Sequence, residues 1–370
     1  MTIPTGPAPY IYVTTRLRAR KTGLIPRREY PRLLNMSLES FTRFIHESGY
    51  HKEIEELSFE RKGINLIEAA LTRNFARSFH SVLHIAPGHL RILTARYLHR
   101  WDIINVMSIL RAKRRSIPAE RVREILIPAG ELEEEFLLRL IDEESISRAI
   151  DLLEPWRLSK VLKREFTAGS LKGVFSRVEN ELYKQYYADL IRDAESGIKG
   201  GDVLVSYLRL EIDVINIKNL FRLRSGGITG TIYNVIIPGG TIHMEEYTRI
   251  ARTENRETFI SLIEKTSQFR IFSRAFRILH EDMTITDEQI ADLLWKRWMQ
   301  KKSPVHPMEI AVTRVMLDQM EGLSKRHPFS VLPILVYFER KRHEIANMRA
   351  IARGKQAQLT DFTIARYLVI

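Results

Sequence analysis

Apolar residues recur along this chain at the three- and four-residue intervals of a helix face. Ile64, Ile67, Leu71 and Phe75 form one such stripe, and Leu137, Leu140 and Ile141, continued by Ile146, Ile150 and Leu153, form another. Helix starts are marked as well. Pro118, with Glu120 close behind, suits a first turn, and Thr286 followed by Gln289 has the spacing of a capping box. Strand-like composition is confined to short pieces such as Tyr10 to Thr15 and Thr231 to Ile237. Gly and Pro together make up only 32 of 370 residues, so breakers are few and the pattern predicts an all-α fold.

The pattern also repeats. Asp102-Ile-Ile-Asn105 is followed by Arg111 and Lys113, Asp213-Val-Ile-Asn216 by Arg222 and Arg224, and Glu344-Ile-Ala-Asn347 by Arg353 and Lys355. Each copy places an acid three residues before an Asn, an Arg six after it and a second base eight after it. A second element keeps the same phase: Glu68, Glu179 and Glu309, each in an apolar helical context, precede the three asparagines by 37, 37 and 38 residues. A third, Pro128-Ala-Gly130-Glu-Leu132 and Pro238-Gly-Gly240-Thr-Ile242, follows the first two asparagines at nearly equal distance and suits a turn. Such register marks an internal triplication. It predicts three helical repeats, 1–117, 118–228 and 229–370, the last lengthened by about 20 residues, in the stretch between Arg252 and His306.

On a helical projection Ile103, Val106, Met107, Ile109 and Leu110 share one broad face, with Asp102 and Asn105 at its edge. The favoured reading is structural: the Asn and its acid pin the helix to a neighbour. The bases at the sixth and eighth positions could instead form threefold-related contacts to a partner. Glu68, Glu179 and Glu309 are expected near the Asn/Arg element of their own repeat.

Composition narrows the function. With 44% hydrophobic and 28% charged residues the chain is globular, and it has no cysteine, which removes disulfides and thiolate metal sites. Its formal net charge of +13 calls for an anionic neighbour: nucleic acid, phospholipid headgroups or an acidic protein surface. The longest clearly apolar run, Phe329 to Phe338, is about half of the roughly 20 residues a membrane span needs. The Met1 to Tyr10 segment lacks a signal-peptide pattern.

Catalytic and cofactor signatures are missing. The loops at Gly197 to Gly201 and Ser225 to Gly227 lack the Gly-Lys-Ser/Thr ending that cradles phosphate. His80 and His84 stand four apart, with His89 beyond, but without an intervening Glu they read as solvated or packed side chains. The clusters Arg16, Arg18, Arg20, Lys21 and Arg111, Lys113, Arg114, Arg115 are not interleaved with stacking aromatics. No catalytic, cofactor or metal residue is assigned.

These repeats, together with Tyr12-Val-Thr-Thr-Arg-Leu-Arg-Ala19, Tyr187 and Pro328-Phe-Ser-Val-Leu-Pro333-Ile-Leu-Val-Tyr337, give the chain its resemblance to the C subunit of the archaeal A-type (V-type-like) ATP synthase, the counterpart of the d subunit in vacuolar ATPases. The departures are Ala352-Arg353-Gly354-Lys355, tighter than the family's ending, and the lengthened third repeat. The resemblance implies a funnel of three similar helical domains around a pseudo-threefold axis. It implies a non-catalytic rotor protein without cofactor or small-molecule substrate. Such a protein is a single copy in a hetero-oligomer, a socket between the D and F subunits of the central shaft and the membrane proteolipid ring. It would sit peripherally on the cytoplasmic face of the membrane and transmit torque in ion-driven ATP synthesis or ATP-driven ion transport. The alternative, backed only by charge, is a basic helical scaffold binding nucleic acid.

Overall fold

The computed structural model describes residues 8–167, 174–198, 200–225, 232–266, 268–300 and 306–370. The described residues form α-helices joined by short turns and two 3₁₀ turns, with no strand among them. In order these are α1 (Ala8–Thr22), α2 (Tyr30–Leu34), α3 (Leu38–His46), α4 (His51–Leu57), α5 (Gly63–Ile85), α6 (Gly88–Leu98), α7 (Arg100–Arg114), α8 (Ala119–Arg123), α9 (Glu134–Asp142) and α10 (Ile146–Leu152). They continue as α11 (Ser159–Thr167), α12 (Val174–Glu195), α13 (Gly201–Ser225), α14 (Met244–Arg252), α15 (Arg256–Glu264), α16 (Phe269–Leu279), α17 (Asp287–Met299), α18 (His306–Arg326), α19 (Leu332–Gln356) and α20 (Asp361–Ala365).

The apolar stripes do what their spacing demands. Ile67, Leu71 and Phe75 of α5 and Leu137 and Leu140 of α9 are buried, while Ile64 and Ile146 are partly covered. Pro118 is the residue before α8, and the Thr286/Gln289 capping box closes the start of α17, each side chain bonded to the other's main chain. The pieces of strand-like composition do not form strands where they are described. Tyr10–Thr15 lies inside α1, where Tyr10, Val13 and Leu17 are buried at helical spacing, so tertiary packing overrides the β-branched composition. Ile232–Asn234 is a 3₁₀ turn, and Thr231 lies outside the described residues.

Long helices carry the core. α19 packs against α5, α1 and α18, α7 against α12, and α12 against α13. Phe79 sits at one junction, its ring 4.2 Å from that of Phe75 and 4.1 Å from that of Phe338, with Trp101 edge-on to Phe75 at 4.9 Å. A second apolar body lies outboard of α13, where Phe221, Phe259 and Trp298 stack among α14 to α18. The lengthening expected between Arg252 and His306 contains α15, α16 and α17. At the end of α19, Gly354 lets α20 approach: a methyl group there would lie 2.5 Å from Ile364.

Among the described residues no helix is long and apolar enough to cross a membrane. Phe79→Ala removes a ring that joins α5 to α19 and should cost about 3–5 kcal/mol by chemical denaturation. A loss below about 1 kcal/mol would show that the junction closes over the gap.

Candidate functional site

The three repeat asparagines are buried, and each makes the same reciprocal pair of main-chain hydrogen bonds. Asn105 donates through Nδ2 to the Ile127 carbonyl at 2.7 Å and accepts the Ile127 N–H at 2.9 Å. Asn216 does this with Ile237 at 2.7 and 2.8 Å, and Asn347 with Val369 at 3.0 and 2.8 Å. An Asn amide offers a donor and an acceptor side by side, matching one extended residue's N–H and C=O; Asp or Leu in its place offers no such match.

The acids fasten the next turn. Asp102 accepts the N–H groups of Glu131 and Leu132 at 2.8 and 3.0 Å, and Asp213 those of Thr241 and Ile242 at 2.9 and 3.2 Å. This explains the turn glycines, since a methyl on Gly130 or Gly240 would lie 2.1 or 1.9 Å from the carboxylate oxygen. Glu344 finds its main-chain partner at the other end of the chain, in the Ile25 N–H, and also accepts from Tyr50 Oη and from Lys341 Nζ at 2.9 Å. The Ile25 N–H thus plays for Glu344 the part that the Glu131 and Leu132 N–H groups play for Asp102.

The bases follow suit. Lys113 caps the end of α9 by donating to the Ile141 carbonyl at 2.7 Å and to that of Glu143, and Lys355 donates to the carbonyls of Leu34 and Met36 at the end of α2. Arg224 departs from this. It lies over the Trp298 ring at 5.5 Å, and the Trp298 indole N–H takes the Thr253 carbonyl instead.

The repeat glutamates take their ion pairs from the other motif helices, while Glu179 also shares the cavity with Arg222 of its own motif. Glu179 pairs with Arg111, Glu309 with Arg222, and Glu68 with Arg353. Each Glu meets the Arg of the preceding copy and not of its own, and the last pair joins α19 back to α5. These pairs are largely solvent-exposed on the Arg side, so each contributes little to stability. Together they link α7 to α12, α13 to α18 and α19 to α5.

Five residues before each asparagine stands a charge that lies outside the repeated motif: Arg100, Glu211 and Arg342. These converge. The Arg100 guanidinium forks onto Glu211 at 3.2 and 3.1 Å, lies 3.9 Å from Glu339 and covers the Tyr97 ring at 3.8 Å. Arg342 Nε donates to Glu339 at 2.9 Å, and Tyr97 Oη donates to the same carboxylate at 2.9 Å. Burial raises the Glu339 carboxyl, but Arg342 and Arg100 outweigh it and hold the group down at about 2. Burial first, then Arg342, push the His343 imidazole down to about 3, and its Nε2 faces the Arg342 guanidinium at 3.0 Å as a neutral acceptor.

This cluster floors a cavity of about 670 Å³, walled by α7, α12, α13, α18 and α19. Glu179, Lys218 and Arg222 line it together with Tyr183, Tyr187, Val312, Met316 and Met320. Burial, followed by the charges of Arg222 and Arg342, lowers the Lys218 ammonium against the pull of Glu309 and Glu211. Elsewhere, the exposed His80 is bonded through Nε2 to the Pro128 carbonyl at 2.9 Å.

Asn216→Leu strands the Ile237 N–H and carbonyl and should destabilise the protein by about 1–3 kcal/mol; an unchanged melting temperature would contradict the clamp. His343 and Glu339 both have depressed values when folded. The unfolded chain therefore binds the more protons below pH 6.5 for the histidine and below 4.5 for the glutamate, and stability drains as pH falls from there toward about 3 and about 2. His343→Gln should narrow its melting-temperature difference from wild type between pH 6.5 and 4.5. Parallel curves over that range would refute a neutral buried imidazole.

A family model for the ATP synthase (C/AC39) subunit matches residues 13–367. The chain is similar to the A-type ATP synthase C subunit of Methanococcoides burtonii, 33% identical over 98% of this chain and 94% of that one, and to that of Methanosarcina acetivorans, 33% identical over 99% and 94%. Similarity to the Archaeoglobus fulgidus counterpart is 28% identity over 98% and 97%. With clamps repeated along a helical chain and a family match from one end of it to the other, the protein belongs to the ATP synthase (C/AC39) subunit family.

Proposed function

We propose that this chain is the rotor socket of an A-type ATP synthase, holding the D and F subunits of the central shaft on one side and resting on the membrane proteolipid ring on the other. The observation that carries the reading is the cyclic order of the Arg/Glu pairs around the Arg100, Glu211 and Arg342 cluster. Three units closed head to tail about a pseudo-threefold axis make a body that resists twisting, because rotating any unit strains both of its neighbours. A torque-bearing coupler needs that stiffness and no bond-making chemistry.

The units are best drawn by their clamps. α7 belongs with residues 119–167 and α13 with 232–299. α19 belongs with 361–370 together with the N-terminal residues 23–57, which supply Ile25, Leu34 and Met36. The expected cuts near 117 and 228 follow the linear register; in this proposal the third unit is finished by the start of the chain. The extra helix α17 then belongs to the unit of α13, against which it packs.

The cavity is the mouth in this reading. Its lining is charged and aromatic with an apolar wall, suited to a contact that forms and releases, and the surplus of Lys and Arg suits a body near anionic headgroups. Mixed with purified D and F subunits, the chain should form a stoichiometric complex at low ionic strength whose affinity falls as salt is raised. No complex at low salt would overturn the socket reading, whereas a salt-independent complex would overturn the polar contact alone. A gel shift with duplex or single-stranded nucleic acid under the same conditions should be negative.

A further inference from the structure

Two residues after the repeat asparagines the three copies carry Met107, Lys218 and Arg349. Met107 is fully buried, and Arg349 donates to Thr72 of α5 across the packed α19–α5 seam. Lys218 instead lines the cavity between α13 and α18, and among the described residues its ammonium has no hydrogen-bond or ion-pair partner. The nearby acids are already engaged: Glu211 by Arg100 and Glu309 by Arg222. Its remaining charged neighbours, Arg222 and Arg342, repel it. A mostly desolvated ammonium with no close counter-charge costs free energy in the isolated protein, and an incoming anion offsets that cost.

The cavity's size points to what brings the anion. One turn of helix with its side chains fills a cylinder about 10–12 Å across and about 5.4 Å tall, on the order of 400–600 Å³, and the space here is about 670 Å³. Its α18 wall offers Val312, Met316 and Met320, the apolar and adaptable surface a helix end packs on. Small anions need no such wall.

We propose that the α13–α18 seam receives one turn of a partner's helix, with a carboxylate of that turn pairing with Lys218. The proposal rests on the socket reading, which names the shaft as the partner. Lys218 is then a charge held in reserve: it weakens the free protein and strengthens the assembled one.

The test measures melting temperature and affinity for the D–F shaft complex on wild type, Lys218→Met and Lys218→Arg. Lys218→Met should melt at or above the wild-type temperature yet bind the shaft at least about tenfold more weakly, and Lys218→Arg should retain most of the binding. Undiminished binding by Lys218→Met overturns the proposal, as does a lower melting temperature with normal binding, which would give the ammonium a partner inside the chain. Failure of the wild type itself to bind the shaft overturns the socket reading and this proposal with it. Calorimetry with inorganic phosphate separates the remaining possibility: phosphate binding that needs Lys218, with shaft binding untouched by Lys218→Met, would assign the site to a small anion.

Discussion

Where three long helices meet, the buried carboxylate of Glu339 and the largely buried Arg100 and Glu211 are tolerated because each is paired, and this pairing governs how those helices sit. Arg100, Glu211, Arg342 and Glu339 neutralise one another across α7, α13 and α19, with Tyr97 supplying a further donor. Taking such ions out of water costs several kcal/mol apiece unless their geometry is held. The helices therefore cannot slide or rotate independently. The asparagine clamps fix each helix to its own following turn, and the acids fix the turn after that.

Most of the fold class was legible because helical periodicity is long and uninterrupted in α5 and recurs in the shorter α9 and α10. The clamp offsets were legible too, since acid, Asn and two bases recur at fixed spacing. Their partners were not. Ile127, Ile237 and Val369 engage the asparagines through main-chain atoms, and a main-chain partner leaves no side-chain signature. Tyr10–Thr15 misleads for a related reason, as local composition there is β-branched while burial of Tyr10, Val13 and Leu17 decides for helix.

The ion pairs that Glu68, Glu179 and Glu309 make could not be read from linear register, and the reason is topological. Reading repeats along a line assigns each glutamate to the asparagine that follows it, but a ring pairs it with the Arg before it, and for Glu68 that Arg lies 285 residues downstream. The bonds from Lys355 to Leu34 and Met36 repeat those from Lys113 to Ile141 and Glu143, and the Ile25 N–H serves Glu344 as the Glu131 and Leu132 N–H groups serve Asp102. Glu344 stands where the other copies have Asp, and its extra methylene reaches a strand of main chain from the far end of the sequence, which the others do not need to do.

Stiffness and adaptability are consequently held by different interactions. The main-chain clamps are buried and satisfied, so loosening one leaves polar groups stranded without water. The Arg/Glu pairs between copies are exposed enough for water to replace either partner at small cost. Around the ring the copies are not equally filled: Arg349 reaches Thr72 across one seam, while the seam beside Lys218 is left open. In the proposed socket a partner entering this seam leaves the clamps undistorted, since the adjustment falls on the exposed Arg222 and on the flexible methionines of α18. In the proposed socket, that asymmetry is where binding can be added without giving up resistance to twist.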